Sequence, residues 1–235
     1  MNGLRCAALY SLTTNRLGYC GPKSAFSVFE NFILNGVGAE KVKALLERFE
    51  GVYPYLQVIA EKNNLESFDE QVVDAYWLGN RLLDSMNAED IKEIINKLSE
   101  RGLPKIVADK LIARVPKNSI PHHSFNVIFV GVGTVTGSVP ANLKNMNSCM
   151  VNWGRVVEAG NQLAVETQEL CYDNGYFLKP ATKRISFNKA LLGSIKQGDF
   201  VSFHWDNAVE VLSEEHRKGL ERYTQKIISA VNYRP

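Results

Sequence analysis

Apolar residues recur every three to four positions through roughly the first 115 residues and then give way to alternating, β-branched runs, so the pattern predicts helices followed by strands. Leu4, Ala8, Leu9 and Leu12 mark a first helix. The turn Asn15-Arg16-Leu17-Gly18-Tyr19-Cys20-Gly21-Pro22 leads into a second, for which Pro22 suits the first helical position and Phe26, Phe29, Phe32 and Ile33 form the buried stripe. Val42, Leu45, Leu46 and Phe49 line a third helix that Gly51 can end, and Tyr53 to Ile59 begin a fourth. Asp69 caps a fifth, whose apolar positions Val72, Val73, Tyr76, Trp77, Leu83 and Met86 are too many for a narrow stripe and place it near the centre of a helical domain. Asn87 caps the next, carrying Ile91, Ile94, Ile95 and Leu98, with Gly102 as its stop. A short helix runs from Pro104 towards Arg114.

The pattern changes between Val115 and Pro121. Phe125, Val127, Ile128, Phe129, Val130 and Val132, with glycines at 131, 133 and 137, read as a buried strand and its turns. Further strands are expected at about 150–158, 162–171, 176–187 and 199–205. An amphipathic helix then starts at Ser213, with Glu214 and Glu215 suiting its positive end and Leu220, Tyr223, Ile227 and Val231 on one face. Short strands followed by a helix fit a small OB-like β-barrel, because closure removes exposed edges. The expected fold class is therefore α+β: an all-α domain over 1–115, a linker or β segment over 116–148, and a barrel with a C-terminal helix over 149–235.

Length and composition narrow the function. A chain of 235 residues suits two domains, and 27 Lys and Arg against 25 Asp and Glu, scattered singly, argue against a polyanion-binding surface. The four cysteines, at 6, 20, 149 and 171, form no C-x-x-C pair, which excludes a zinc ribbon or thioredoxin motif. No stretch has the apolar length of a signal peptide or a bilayer span, so a cytoplasmic protein with reduced thiols and no membrane partner is expected.

Cys149 and His204, each expected on a strand, are two metal ligands that one small β-fold can bring together around iron, copper or zinc. Cys20, just before a helix N-terminus and near Arg16, is a candidate for a lowered thiol pKa and a further ligand. His122 and His123 face opposite ways if extended, so only one joins a given site, and His123 is preferred. Each residue also has a packing explanation: a buried cysteine behaves as a small hydrophobe, and a strand histidine can be hydrogen-bonded in a core. Cys6 and Cys171 are assigned to packing, and Trp153, Trp205 and Tyr223 to core or interface aromatics.

Cys149, Gly154, Arg155, Val156 and Val157, followed by Gly198, Asp199, Phe200, Val201, His204, Ala208, Val209 and the Ser213-Glu214-Glu215 helix start, are the residues of a wider pattern. In order and spacing they resemble the HypC/HupF family, small β-barrel chaperones that assemble the iron-dicyano-carbonyl group of [NiFe]-hydrogenases. The resemblance covers the C-terminal third. It implies that Cys149 is the iron-binding thiolate, that His204 is its companion, and that the partner is a hydrogenase large subunit or another maturation protein. Cys149 is internal here, Trp153 stands where a proline is usual, Trp205-Asp206-Asn207 follows His204, and the stretch between Gly160 and Gly198 is longer. The helical part, with its Asn15 to Pro22 turn and Pro121-His122-His123, is similar to proteins associated with hydrogenase gene clusters. On this reading the cofactor is iron, as an Fe(CN)2CO unit, held by Cys149 and His204 with Cys20, His123 or another protein completing the site.

Two alternatives stand beside it. One is a metal-dependent enzyme with Cys20, His123, Cys149 and His204 around zinc or iron and Asp199 or Asp206 as base, although no H-E-x-x-H, nucleophile elbow, P-loop or dinucleotide fingerprint occurs. The other is an OB-type nucleic-acid binder using Tyr172, Tyr176, Phe177, Lys179, Lys183 and Arg184, against which the balanced charge counts.

Overall fold

The computed structural model describes residues 2–233; Met1, Arg234 and Pro235, the outermost positions of the two end segments, lie outside them. The N-terminal part is helical as the periodicity predicts: α1 (Gly3–Arg16), α2 (Ala25–Asn35), α3 (Ala39–Leu46), α4 (Tyr53–Asn63), α5 (Glu70–Trp77), α6 (Ala88–Ser99) and α7 (Lys105–Ile112). Side chains cap these helices where polar residues precede apolar runs. Asp69 accepts from Gln71 N, and Asn87 with Asp90 forms a reciprocal capping box on α6.

Two boundaries differ from expectation. Helix α2 begins at Ala25, beyond Pro22, because the Asn15 side chain donates to the carbonyls of Cys20 and Pro22 and accepts from Phe26 N, which holds the intervening chain as an ordered loop. The fifth helix ends at Trp77, and Leu83 falls in a short 3-10 turn, Arg81–Ser85, beyond Gly79. Gly79 has φ +82°, and a Cβ there would meet the Tyr223 ring at 2.5 Å.

The apolar run after Pro121 is helical, not a strand: α8 (His123–Phe125) continues as a π-helix over Asn126–Gly131. His122, His123, Ser124, Phe125, Val127, Ile128 and Val130 are all buried. A helix buried nearly all round shows neither a 3.6-residue nor a two-residue alternation, so its run of Val, Ile and Phe looks like a core strand. Helix α9 (Leu143–Cys149) follows, so Cys149 ends a helix and does not lie on a strand as expected.

The strands β1 (Asn152–Ala159), β2 (Leu163–Tyr172) and β3 (Tyr176–Ile185) come next, then the short helix α10 (Lys189–Leu192), β4 (Phe200–His204) and β5 (Asn207–Val211). They form one antiparallel sheet in the order β3-β2-β1-β4-β5. It is an open sheet, which corrects the OB-like barrel. The edge strands β3 and β5 make no ladder with each other, and their ends touch only through an isolated bridge between Ser186 and Asn207. The fifth strand went unforeseen because it follows β4 through the two-residue turn Trp205-Asp206, both at positive φ (51° and 53°), with no glycine to mark a turn.

Helix α11 (Glu214–Asn232), capped by Ser213, ties the sheet end of the chain back to the helices. Gly219 lies so close to the chain after α5 that an added Cβ would sit 2.3 Å from the Gly79 carbonyl oxygen. One apolar cluster consequently includes Tyr10, Phe29 and Trp77 from the helices, Met150 and Val151 before β1, and Leu220, Tyr223 and Ile227 of α11. A second, smaller cluster, Val156, Leu163, Val165, Ile185, Val201 and Phe203, fills the other side of the sheet. Strand β4 serves both by alternation: Val201 and Phe203 belong to the small cluster, while Ser202 and His204 make their hydrogen bonds to α1.

Candidate metal centre

Three side chains from three elements converge at the junction of helices and sheet. His123 opens α8, Cys149 closes α9 and His204 ends β4. One ligand atom from each lies within 4.8 Å of the others, and Cys149 Sγ is 4.0 Å from His123 Nε2. With metal bonds of about 2.3 Å to sulfur and 2.0 Å to nitrogen, a tetrahedral ion needs a sulfur to nitrogen separation of about 3.6 Å, so the Cys149–His123 pair is a few tenths of an ångström from coordination distance and the widest pair about 1 Å or more.

Local structure fixes each ligand. Asn147 grips β2 with both ends of its amide, donating to Leu170 O and accepting from Leu170 N at 2.8 Å each, while Trp205 N donates to Ser148 O at 2.7 Å. These bonds hold the end of α9, and with it Cys149, against the sheet. His204 Nδ1 is 3.1 Å from the carbonyl oxygen of Tyr10. A carbonyl only accepts, so Nδ1 carries the proton and Nε2 presents a lone pair. That Nε2 is buried and makes no well-formed hydrogen bond, the Cys149 carbonyl lying near the ring without satisfying it.

His123 admits two proton arrangements. Its Nε2 is 2.7 Å from the Cys149 carbonyl oxygen and its Nδ1 is 3.0 Å from the Tyr76 hydroxyl, which also reaches the Gly51 carbonyl at 3.0 Å. With the proton on Nε2, the single Tyr76 proton has two acceptors to serve. With the proton on Nδ1, Nδ1–H donates to Tyr76 Oη and Tyr76 O–H donates to Gly51, so both protons are placed and Nε2 becomes a lone pair. That would set two acceptors 2.7 Å apart, so without metal the proton sits on Nε2 and donates to the Cys149 carbonyl while the Tyr76 hydroxyl serves Nδ1 or Gly51 O, and a metal taken by Nε2 must displace that proton to Nδ1 and break the Cys149 bond.

Burial keeps all three ligands neutral in the absence of metal. It lowers His204 to about 4, partly offset by the carbonyls of Tyr10 and Cys149, and it pushes His123 well below the usual histidine range, helped by the neighbouring His204. It raises the Cys149 thiol well above its ordinary value, as does the nearby Cys20, while the Trp205 indole N–H works the other way. Neutral imidazoles are ready ligands. The thiol proton must leave when a metal binds, so affinity should rise with pH.

Cys20 lines the same cavity but is not one of the three convergent ligands. Its thiol pKa is raised to about 12, by burial first and by Glu50 second, which corrects the expected lowering. The reason is the late start of α2: Cys20 lies in the loop held by Asn15 and gains nothing from a helix N-terminus. His122 caps α8, its Nδ1 accepting from Ser124 N at 3.1 Å, so it is the neighbouring His123 that enters the site. Asp199 accepts from Lys196 N and Asp206 pairs with Lys183, and neither carboxylate reaches the cavity. Of the basic residues weighed for nucleic acid, Lys183 pairs with Glu169 and Arg184 with Glu158, each at 3.2 Å.

Sequence reading missed Tyr10 and Tyr76 as supports of the histidines, and it set Trp205 aside as packing. Only the density of large apolar residues around Tyr76 and Trp77 hinted that a central wall lay there. Trp77 stacks on Tyr10 with ring centroids 5.2 Å apart and lies 4.5 Å from the His123 ring.

The fold and site together define an α+β protein with a buried centre of two imidazoles and one thiol, closed by aromatic rings. The chain belongs to the family described as a family of unknown function, DUF6390, whose model matches residues 1–235. No curated protein and no solved structure matches it. No helix among the described residues is long and apolar enough to cross a membrane.

Proposed function

We propose that this protein holds one iron ion on His123, Cys149 and His204 and acts as an assembly chaperone for an iron unit with small diatomic ligands, passed on to a [NiFe]-hydrogenase large subunit. The observation that carries the metal reading is the lone pair of His204 Nε2, buried without a well-formed hydrogen bond and facing a thiol and a second imidazole. An unsatisfied buried acceptor is costly, and a metal ion satisfies it. Two nitrogens and a sulfur suit iron, and three protein ligands leave three positions of an octahedron open. An Fe(CN)2CO unit has three diatomic ligands to fill them. The order of the Cys149 and His204 motifs, similar to that of HypC-like chaperones, supports the cargo.

The cavity wall favours holding over turnover. Among the described residues that line it there is no Asp, Glu, Lys or Arg, so no carboxylate stands ready as a general base. Delivery would require the wall to open. The segment from Gly131 to Val139, with Gly131, Gly133 and Gly137 at positive φ, lines the cavity and is the longest stretch of its lining without regular secondary structure beyond the end of the π-helix.

Infrared spectroscopy tests the reading. Protein purified without oxygen after co-expression with a complete hydrogenase maturation system should contain iron and show cyanide and carbonyl stretching bands. Iron-free protein without such bands would contradict it. One equivalent of zinc and no diatomic bands would instead favour the enzyme alternative, which the three-ligand site with an open fourth position also fits.

A further inference from the structure

The wall beside Cys149 contains two more unsatisfied atoms. The indole Nε1 of Trp77 is buried and has no hydrogen-bond partner, that of Trp205 is buried with only the Cys149 sulfur near it and no well-formed hydrogen bond, and both residues line the cavity that His123, Cys149 and His204 share. Both atoms are donors and cannot accept. The cavity has about 40 Å³ open, enough for a few water-sized groups and too little for an organic substrate.

Other buried donors in this wall are satisfied. The Tyr76 hydroxyl reaches both Gly51 O and His123 Nδ1, the Thr14 hydroxyl donates to Ser11 O and the Ser138 hydroxyl donates to Tyr19 O. The two indoles therefore stand out, and they come from distant parts of the chain, the end of α5 and the turn between β4 and β5. Trp205 is also held in a left-handed conformation, φ 51°, that a bulky residue rarely adopts. Its backbone N–H is anchored on Ser148 O at 2.7 Å, and its ring packs on Tyr19 with centroids 4.5 Å apart. The positive φ belongs to the two-residue turn, and it fixes beside the thiol an indole donor that makes no well-formed hydrogen bond of its own and is available to a ligand held there.

We infer that the cavity is a pocket for a small linear anion bound to the held metal, with the Trp77 and Trp205 indole N–H groups donating to the anion's far atoms. This deepens the proposed function and rests on the metal reading above. Two donors suit two anionic diatomic ligands, such as two cyanides. The lack of charged side chains in the wall leaves the metal and the indole dipoles to select the ligand.

Cobalt(II) and azide test it without an assembly system. The protein loaded with Co2+ should show thiolate-to-cobalt absorption, and azide should perturb the spectrum at a measurable affinity. Trp205→Phe keeps an aromatic ring and removes the N–H, as does Trp77→Phe; with each variant saturated in Co2+, azide binding should weaken about 10-fold or more, beyond any change in cobalt affinity. Unaltered azide affinity in both variants would overturn the inference, as would a loss that tracks cobalt affinity. A readout independent of variants uses the Zn2+-loaded protein labelled with 15N-tryptophan. Azide should shift two of the three indole N–H resonances, the third tryptophan being Trp153. Zinc-loaded protein whose indole signals ignore azide would contradict the pocket alone, whereas failure to bind Co2+ or Zn2+ would contradict the metal site itself.

Discussion

Protein carrying alanine at both Cys149 and His204 should retain almost no iron, with affinity lowered by more than about 100-fold, the upper range for losing even a supporting contact to a metal ligand. Two of three donors disappear, and with the thiolate goes the only negative charge among the three convergent ligands. A cation left in the buried, apolar cavity with His123 alone pays desolvation that one imidazole cannot offset. Each single variant should also lose iron. The fold should survive: Cys149→Ala removes little volume, and His204→Ala leaves the Tyr10 carbonyl without its donor, a cost of about 1–3 kcal/mol. His122→Asn is the control, because it keeps a capping side chain on α8 and removes no ligand atom, and its iron content should match wild type. Metal analysis with circular dichroism separates these outcomes. Full iron loading in both single variants would show that the site lies elsewhere.

Acid should destabilise the metal-free protein steeply. Burial lowers His204 to about 4 and His122 to about 3, and His123 is pushed down in the same direction. The folded state therefore prefers neutral imidazoles, whereas the unfolded chain takes up protons near the ordinary histidine pKa of about 6.5. Stability from these groups is full above about pH 6.5 and is lost as the pH falls through the folded-state values. At pH 4 the His204 contribution alone amounts to about 3 kcal/mol lost, a large part of a typical 5–15 kcal/mol total. Urea unfolding of the metal-free protein at pH 7, 5.5 and 4 should show a midpoint that drops progressively. His122→Asn, which can still cap α8, should flatten the drop. A midpoint constant from pH 7 to 4 would contradict neutral burial of the histidines.

The helical half was legible because amphipathic helices write their buried face into the spacing of Phe29, Phe32 and Ile33, or of Ile91, Ile94, Ile95 and Leu98, and because Asp69 and Asn87 are caps that act within one turn. What failed was whatever depended on surroundings. The Phe125 to Val132 run is equally apolar as a buried helix or a buried strand, and only the packing around it decides. Open sheet or closed barrel depends on whether β3 meets β5, a contact between residues far apart in sequence. The pairing of Cys149 with His204 was visible as a pattern, and the structure brings both together with His123. Cys20 was misjudged in its chemistry because its pKa follows burial and Glu50, neither readable from the Pro22 signal. Tyr10, Tyr76, Trp77 and Trp205 support the site through a carbonyl, hydroxyl or ring contact of a kind that aromatic-rich cores commonly supply, so nothing in their local sequence sets them apart.

X-ray absorption at the metal edge, on protein loaded with one equivalent of Fe2+ or Co2+ under anaerobic conditions, tests the central claim most directly. The site requires one sulfur scatterer near 2.3 Å and two imidazole nitrogens near 2.0–2.1 Å, with the sulfur lost in Cys149→Ala and one imidazole lost in His204→Ala. A spectrum of nitrogen and oxygen scatterers alone, unchanged by either substitution, would show that His123, Cys149 and His204 do not form a metal centre.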